Sequence, residues 1–89
     1  MGYVKALLII TEKPEDISQR IMEDLERGVT MLKGKGMYTK EDKDILLCVV
    51  NRSQFTKVKD IVNMIDDKAF VMVTDIFDVI GEGFEEIKK

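Results

Sequence analysis

Four short apolar segments alternate with two longer segments in which apolar residues recur every three or four positions. The short segments predict β-strands at residues 3–10, 29–32, 45–50 and 69–73, because they are rich in Val, Ile and Leu and too short for stable helices. In the first, third and fourth of them successive residues are apolar, which is typical of strands that are buried on both faces. The first and third strands are therefore expected at the centre of a sheet.

The two longer segments predict amphipathic helices. The first begins at Pro14, where proline and the following carboxylates of Glu15 and Asp16 suit a first turn, and Gly28 is expected to end it. The second is expected to start after Ser53 as its N-cap. Helical spacing places Met22 and Phe55 on the apolar stripes of these helices. The residues predicted to pack on the sheet are Ile17, Ile21, Leu25, Val58, Ile61, Val62 and Ile65.

The resulting order β-α-β-β-α-β predicts an α+β, ferredoxin-like fold: a four-stranded antiparallel sheet with two helices on one face. Residues 1–89 are expected to form one domain with a C-terminal tail at 75–89, in which Asp75 caps a helical turn that Gly81 ends. Two helices cover only one face of a sheet that is apolar on both. A homo-oligomer, dimer or trimer, is therefore predicted, with the tail as an alternative cover.

Composition excludes several classes of function. The chain has 89 residues, 45% of them hydrophobic, and a net charge of -3, which argues against binding a nucleic-acid polymer. Cys48 is the single cysteine and histidine is absent, so there is no internal disulfide, no Cys/His zinc site and no imidazole base. No apolar run reaches the roughly 20 residues of a membrane span. These observations favour a cytoplasmic domain, for which no catalytic residue, cofactor or metal is predicted.

The candidate chemistry lies in a glycine-paired, lysine-bearing loop after the second strand. Backbone N–H groups near glycines, together with a lysine, can hold an anion. The predicted ligand-binding residues are Lys33, Gly34, Lys35, Gly36, Met37 and Tyr38. The alternative is a tight or bulged hairpin that only needs positive φ at its glycines. In that case Tyr38 packs within the loop, whereas in a ligand site it stacks on a base.

Several short motifs together resemble the C-terminal domain of the YitT family. They are Gly28-Val29-Thr30, Gly34-Lys35-Gly36-Met37-Tyr38-Thr39, Leu46-Leu47-Cys48-Val49-Val50-Asn51-Arg52, Asp66 with Lys68-Ala69-Phe70, and Thr74-Asp75 with Gly81-Glu82-Gly83-Phe84. The resemblance implies a cytosolic module of a bacterial multi-spanning membrane protein, located at the inner face of the cell membrane, with the membrane-embedded part as its partner. The chain then looks like an excised fragment.

A weaker resemblance concerns PII signalling proteins, in which a loop of the form V-K-G-x-G helps to hold a nucleotide between the subunits of a trimer. Leu32-Lys33-Gly34-Lys35-Gly36 is similar to that loop. The loop that follows is far shorter here, and Met37 stands where those proteins have arginine. Two functions are thus predicted: a non-enzymatic regulatory or sensor domain that binds a small anionic ligand, nucleotide or metabolite, at the glycine loop, or an oligomerisation module without a ligand.

Overall fold

The structure is a computed structural model that describes residues 4–76 and residue 80. Its elements, in chain order, are β1 (Val4–Ile10), α1 (Pro14–Leu25), β2 (Val29–Lys35), β3 (Asp42–Asn51), α2 (Arg52–Ile65) and β4 (Phe70–Ile76). The strands form one sheet in the order β2-β3-β1-β4, and each neighbouring pair is antiparallel. The predicted ferredoxin-like fold and the central position of β1 and β3 are confirmed.

The core lies between the helices and one face of the sheet. Leu7 pairs with Cys48 and Ile9 pairs with Leu46, and all four side chains are buried. From the helices, six of the predicted core residues are buried against them: Ile17, Ile21, Leu25, Val58, Ile61 and Val62. Phe55 and Ile65 are partly buried at the margin. Met22, which helical spacing places on the same stripe of α1, is 44% exposed.

Helix α1 begins at Pro14 as predicted, but its predicted end and the predicted N-cap of α2 are wrong in detail. Helix α1 ends at Leu25, and Glu26, not Gly28, adopts the left-handed conformation at φ 55° and donates its backbone N–H to the carbonyl of Met22. Helix α2 is capped by Asn51, not Ser53: the Asn51 side chain accepts from the Gln54 backbone N–H, and the Gln54 side chain accepts from that of Asn51. This reciprocal capping box satisfies two N–H groups of the first turn.

The strands run further than their apolar residues indicate. Strand β2 continues through Gly34 to Lys35, and β3 already begins at Asp42, so part of the predicted loop and charged segment belongs to the sheet. Strand β4 starts at Phe70 and reaches Ile76, which places Asp75 in a strand and not at a helix cap. Residues 75 and 76, which were predicted to begin the tail, therefore belong to the sheet. The rest of the expected helical turn, at 77–79, lies outside the described residues.

Candidate functional site

The predicted ligand-binding residues fall on the β2–β3 hairpin, and the pleat separates them. Lys33 faces Asp44 and Lys35 faces Asp42 across the two strands, on the helix side of the sheet, whereas Gly34 faces Lys43 on the other side. The Nζ atom of Lys33 lies 2.7 Å from Oδ1 of Asp44. The hydrogen bond that Lys33 donates to Asp44 raises the pKa of Lys33, so this lysine already has a counter-charge.

The turn at the end of the hairpin is closed by its own hydrogen bonds. Gly36 donates its backbone N–H to the carbonyl of Glu41 at 2.8 Å, and Lys40 donates its own to the carbonyl of Gly36 at 2.7 Å. Glu41 N–H donates to the Thr39 hydroxyl at 3.2 Å. The Gly36 amide is consequently not available to an anion, while no hydrogen bond to another described residue engages the N–H groups of residues 37–39.

Glycine is needed in this hairpin for space. A Cβ atom on Gly34 would lie 3.1 Å from Cδ1 of Ile45, and one on Gly36 would lie 3.1 Å from the Thr39 hydroxyl and 3.3 Å from Cε of Lys43. The predicted positive φ is not found at either glycine and occurs at Lys40, with φ 64°. The hairpin therefore accommodates close neighbours at its glycines and places its backbone strain on a lysine.

Met37 and Tyr38 form the tip of the turn and have no packing partners of consequence. Tyr38 is 99% exposed and Met37 is 72% exposed. Packing of Tyr38 within the loop, one of the two predictions for this residue, is wrong. The tip instead presents an aromatic ring and a thioether chain to the surroundings.

A cleft of about 300 Å³ lies between the hairpin and the start of α1. Its lining residues are Ile10, Thr11, Glu12, Pro14, Lys33, Asp42, Lys43 and Asp44. Lys33 is the one predicted site residue that borders it. Residue type and spacing could not single out Thr11 and Glu12, because only the fold brings the turn after β1 beside the hairpin. Two lysines and three carboxylates make the cleft polar but of mixed sign.

Asp66, just after α2, fixes one wall of this cleft. Its Oδ2 atom accepts hydrogen bonds from the Thr11 hydroxyl at 2.6 Å and from the Glu12 backbone N–H at 3.3 Å, and its Oδ1 accepts from Lys68 N–H at 3.1 Å. The bond from Thr11, followed by those from the backbone, lowers the pKa of Asp66. The carboxylate thus ties the β1–α1 turn to the α2–β4 turn, which accounts for an acidic residue at the end of a helix.

Cys48 and Arg27 are two buried residues whose side chains could take part in chemistry. Burial raises the pKa of Cys48 to about 11, so its thiol is neutral at physiological pH, and the predicted buried thiol is confirmed. Arg27 is 3% exposed and donates from Nε and Nη2 to the carbonyl of Val49 at 3.0 and 2.7 Å. Its guanidinium therefore holds the start of β2 against β3.

The second candidate surface is the face of the sheet that the helices leave uncovered, called the open face below. Its residues follow from the pairing register in four rows: Leu32, Ile45, Ile10 and Phe70; Thr30, Leu47, Leu8 and Met72; Val49, Ala6 and Thr74; Asn51, Val4 and Ile76. Eleven of these are apolar. Phe70, Met72 and Leu32, at the two edges, are 59%, 42% and 40% exposed. The next pair on this face, beyond Leu32 and Ile45, is Gly34 with Lys43, so one charged residue lies at this end of the open face.

Neither helix described within residues 4–76 has the length and apolar content needed to cross a bilayer. The described part of the chain also brings together no group of three His, Cys, Asp or Glu side chains that would hold a metal ion.

Comparison with known proteins gives bacterial relatives. The sequence pattern of the family described as "Uncharacterized protein conserved in bacteria (DUF2179)" matches residues 27–81. The chain is similar to the UPF0750 membrane protein YpjC of Bacillus subtilis strain 168, with 51% identity over 84 residues, which is 93% of this chain and 29% of that protein. It is also similar to the UPF0750 membrane protein YitT of the same strain, with 30% identity over 74 residues, covering 83% and 26%. The predicted resemblance to the YitT family is confirmed.

A solved structure shows the same fold. The crystal structure of a DUF2179 protein from Eubacterium ventriosum matches with a TM-score of 0.70 and 28% sequence identity, over 80% of this chain and 97% of that one. The chain spans less than a third of the length of the two Bacillus subtilis relatives. It thus corresponds to one part of proteins that are named for their membrane location.

Proposed function

The chain belongs to the DUF2179 family of bacterial proteins, and we propose that its role is self-association: a non-enzymatic module that joins copies of a membrane protein through the open face. The observation that supports this most is the set of apolar rows on the sheet face opposite the two helices, which neither helix covers. The proposal also places the domain at the cytoplasmic side of the membrane, next to the membrane-embedded part of the same protein.

The size of the open face suits a protein interface. Strands lie about 4.8 Å apart and same-face residues about 6.6 Å apart, so the fourteen residues of the open face cover a flat area on the order of 450 Å². Monomeric proteins rarely expose contiguous apolar patches above a few hundred Å², whereas a standard interface buries about 800 Å² on each partner. The area that the open face can bury is larger than this flat area, because side chains project from the sheet and residues at the rim add contacts.

The chemistry of the face favours a second copy as its partner. Like-charge repulsion across a symmetric interface is minimal, because Lys43 at one end is the charged residue and Thr30, Thr74 and Asn51 are the polar ones. A domain of 89 residues also buries only about 60 to 65% of its unfolded surface, so it gains stability from a partner.

Sedimentation equilibrium of the 89-residue chain tests the proposal. The wild type is expected to associate at micromolar concentration, and Met72→Glu is expected to weaken the association constant by about tenfold or more, because a carboxylate would be buried without a partner. Met64→Glu is the matched control, since Met64 is exposed on α2, far from the open face. A monomeric wild type, or equal effects of both substitutions, would contradict the proposal.

A second candidate function is a sensor for a small anionic ligand, such as a nucleotide or metabolite, held by Lys33, Gly34, Lys35, Gly36, Met37 and Tyr38. Two observations favour it: the N–H groups of residues 37–39 are not engaged by other described residues, and Lys35 is exposed beside them. Two others weaken it, because Asp44 neutralises Lys33 and the Gly36 amide is used within the turn. Self-association therefore remains the better supported function.

Thermal denaturation with added nucleotides and phosphorylated metabolites separates the two functions. A ligand at about 100 times its Kd adds roughly 2.7 kcal/mol to the free energy of unfolding. The shift should disappear in Lys35→Ala and persist in Lys57→Ala, which removes an exposed lysine from α2. If no anion shifts the wild type, the hairpin is a turn and the sensor function falls.

A further inference from the structure

The tip of the β2–β3 hairpin has a composition that self-association through the open face does not use. We propose that residues 36–40 dock on the surface of an anionic lipid bilayer, with Met37 and Tyr38 inserted among the headgroups. This inference rests on the proposed membrane tethering and adds a contact between the domain and the lipid surface itself.

Exposure is the first observation. Among the large hydrophobic residues that the structure describes Tyr38 is the most exposed, at 99%, and Met37 beside it is at 72%. Tyrosine is favoured at membrane interfaces because its ring is apolar while its hydroxyl can stay hydrated. A flexible thioether next to it adds apolar surface that gains from the same environment.

Charge is the second observation. The hairpin segment 33–44 contains four lysines and three carboxylates, in a chain whose net charge is -3. Lys33 and Asp44 neutralise each other at the base, and Lys35 and Lys40 stand on either side of the tip. Lysines in that place can reach phosphate groups while Met37 and Tyr38 enter the apolar boundary. Glu41 and Asp42 lie on the β3 side and limit the attraction.

Preorganisation is the third observation. The bonds between Gly36 and Glu41 and between Lys40 and Gly36 fix the turn, so the two apolar side chains are presented together before any contact is made. Little ordering of the backbone then opposes binding. Two inserted side chains give weak affinity in free solution, but a domain tethered to a membrane meets the bilayer at high effective concentration.

Flotation of the 89-residue chain with phosphatidylglycerol vesicles tests the inference, and phosphatidylcholine vesicles serve as the neutral comparison. We expect binding to the anionic vesicles that falls as salt is added. The double substitution Met37→Ser/Tyr38→Ser should lower the partition coefficient about tenfold. Met64→Ser is the matched control, because Met64 is also 72% exposed but lies on α2.

Three results would overturn the inference: no flotation of the wild type with anionic vesicles, flotation unchanged in the tip variant, or an equal loss in Met64→Ser. Sedimentation equilibrium of the same preparations keeps this outcome separate from self-association. If the tip variant associates like the wild type while vesicle binding is absent for both, only the membrane contact is refuted.

Discussion

Leu7 and Leu8 are neighbours in β1, yet Leu7 is fully buried under the helices and Leu8 is half-buried on the open face. The same contrast holds along β3, where Leu46 and Cys48 are buried and Ile45 and Leu47 are not. Side chains of one kind thus meet two environments because the pleat sends alternate residues to opposite faces. The helix side is closed by α1 and α2, whereas neither helix covers the open face, which carries comparable apolar surface.

Truncation of Leu7 and Leu8 is expected to give the largest difference in the free energy of unfolding between the two faces. Leu7→Ala should reduce the free energy of unfolding by about 2–5 kcal/mol, because it leaves a cavity in a closed core. Leu8→Ala should cost about 1 kcal/mol in the monomer, since its surroundings are partly solvent. Urea denaturation at protein concentrations below association measures both values. Equal costs would show that the open face is covered within the monomer.

A hydroxyl group probes the same contrast with a smaller effect. Cys48→Ser places a hydroxyl in the closed core, where an unsatisfied polar group costs about 1–3 kcal/mol. Val49→Thr places one on the open face, where water can satisfy it in the monomer, and should cost under about 1 kcal/mol. The second substitution is expected to weaken association instead, which sedimentation equilibrium reports. A larger stability loss in Val49→Thr than in Cys48→Ser would reverse the assignment of the faces.

Glu26 and Lys40 have positive φ. Replacing either residue with glycine is expected to raise the free energy of unfolding by about 0.5 kcal/mol. Glycine at Glu26 or Lys40 removes a strained conformation worth about 1–2 kcal/mol, and its greater freedom in the unfolded chain offsets part of that gain. Lys35→Gly is the control, because it introduces glycine into a strand and should destabilise the domain. Thermal unfolding of the three variants measures the order. A loss of stability in Lys40→Gly would contradict the conformation of the hairpin turn.

The smallest effect is expected at Asp66, because solvent screens its carboxylate. Folding lowers the pKa of Asp66 below its unfolded value of about 3.9, mainly through the hydrogen bond from Thr11. The resulting stabilisation is complete above that unfolded value and is lost as the pH falls through the folded pKa. Asp66→Asn should therefore lose less stability than the wild type on acidification below about pH 4. Urea denaturation at a series of pH values gives the free energy of unfolding of both proteins. If this energy falls equally with pH in the wild type and in Asp66→Asn, the result counts against this contact.

The sequence determined the order of the elements and the composition of both sheet faces. Runs of successive apolar residues in three strands and helical stripes around Ile17 and Val58 are local signals. They were sufficient to predict the ferredoxin-like fold and an apolar sheet face that the two helices do not cover. Strand ends were missed where charged residues continue a strand, as at Lys35 and Asp42. Hydropathy carries no information about a backbone ladder that extends into solvent.

Tertiary structure decided the state of the candidate site. The sequence selected Lys33 for its charge, but only strand register placed Asp44 against it. Local composition likewise could not show that Gly36 would donate its amide to Glu41, or that Tyr38 would stand fully exposed at the tip. Thr11 and Asp66 are 55 positions apart and meet because two turns converge at one end of the sheet. Contacts of this kind depend on register and packing between distant segments, which residue type and spacing along the chain do not specify.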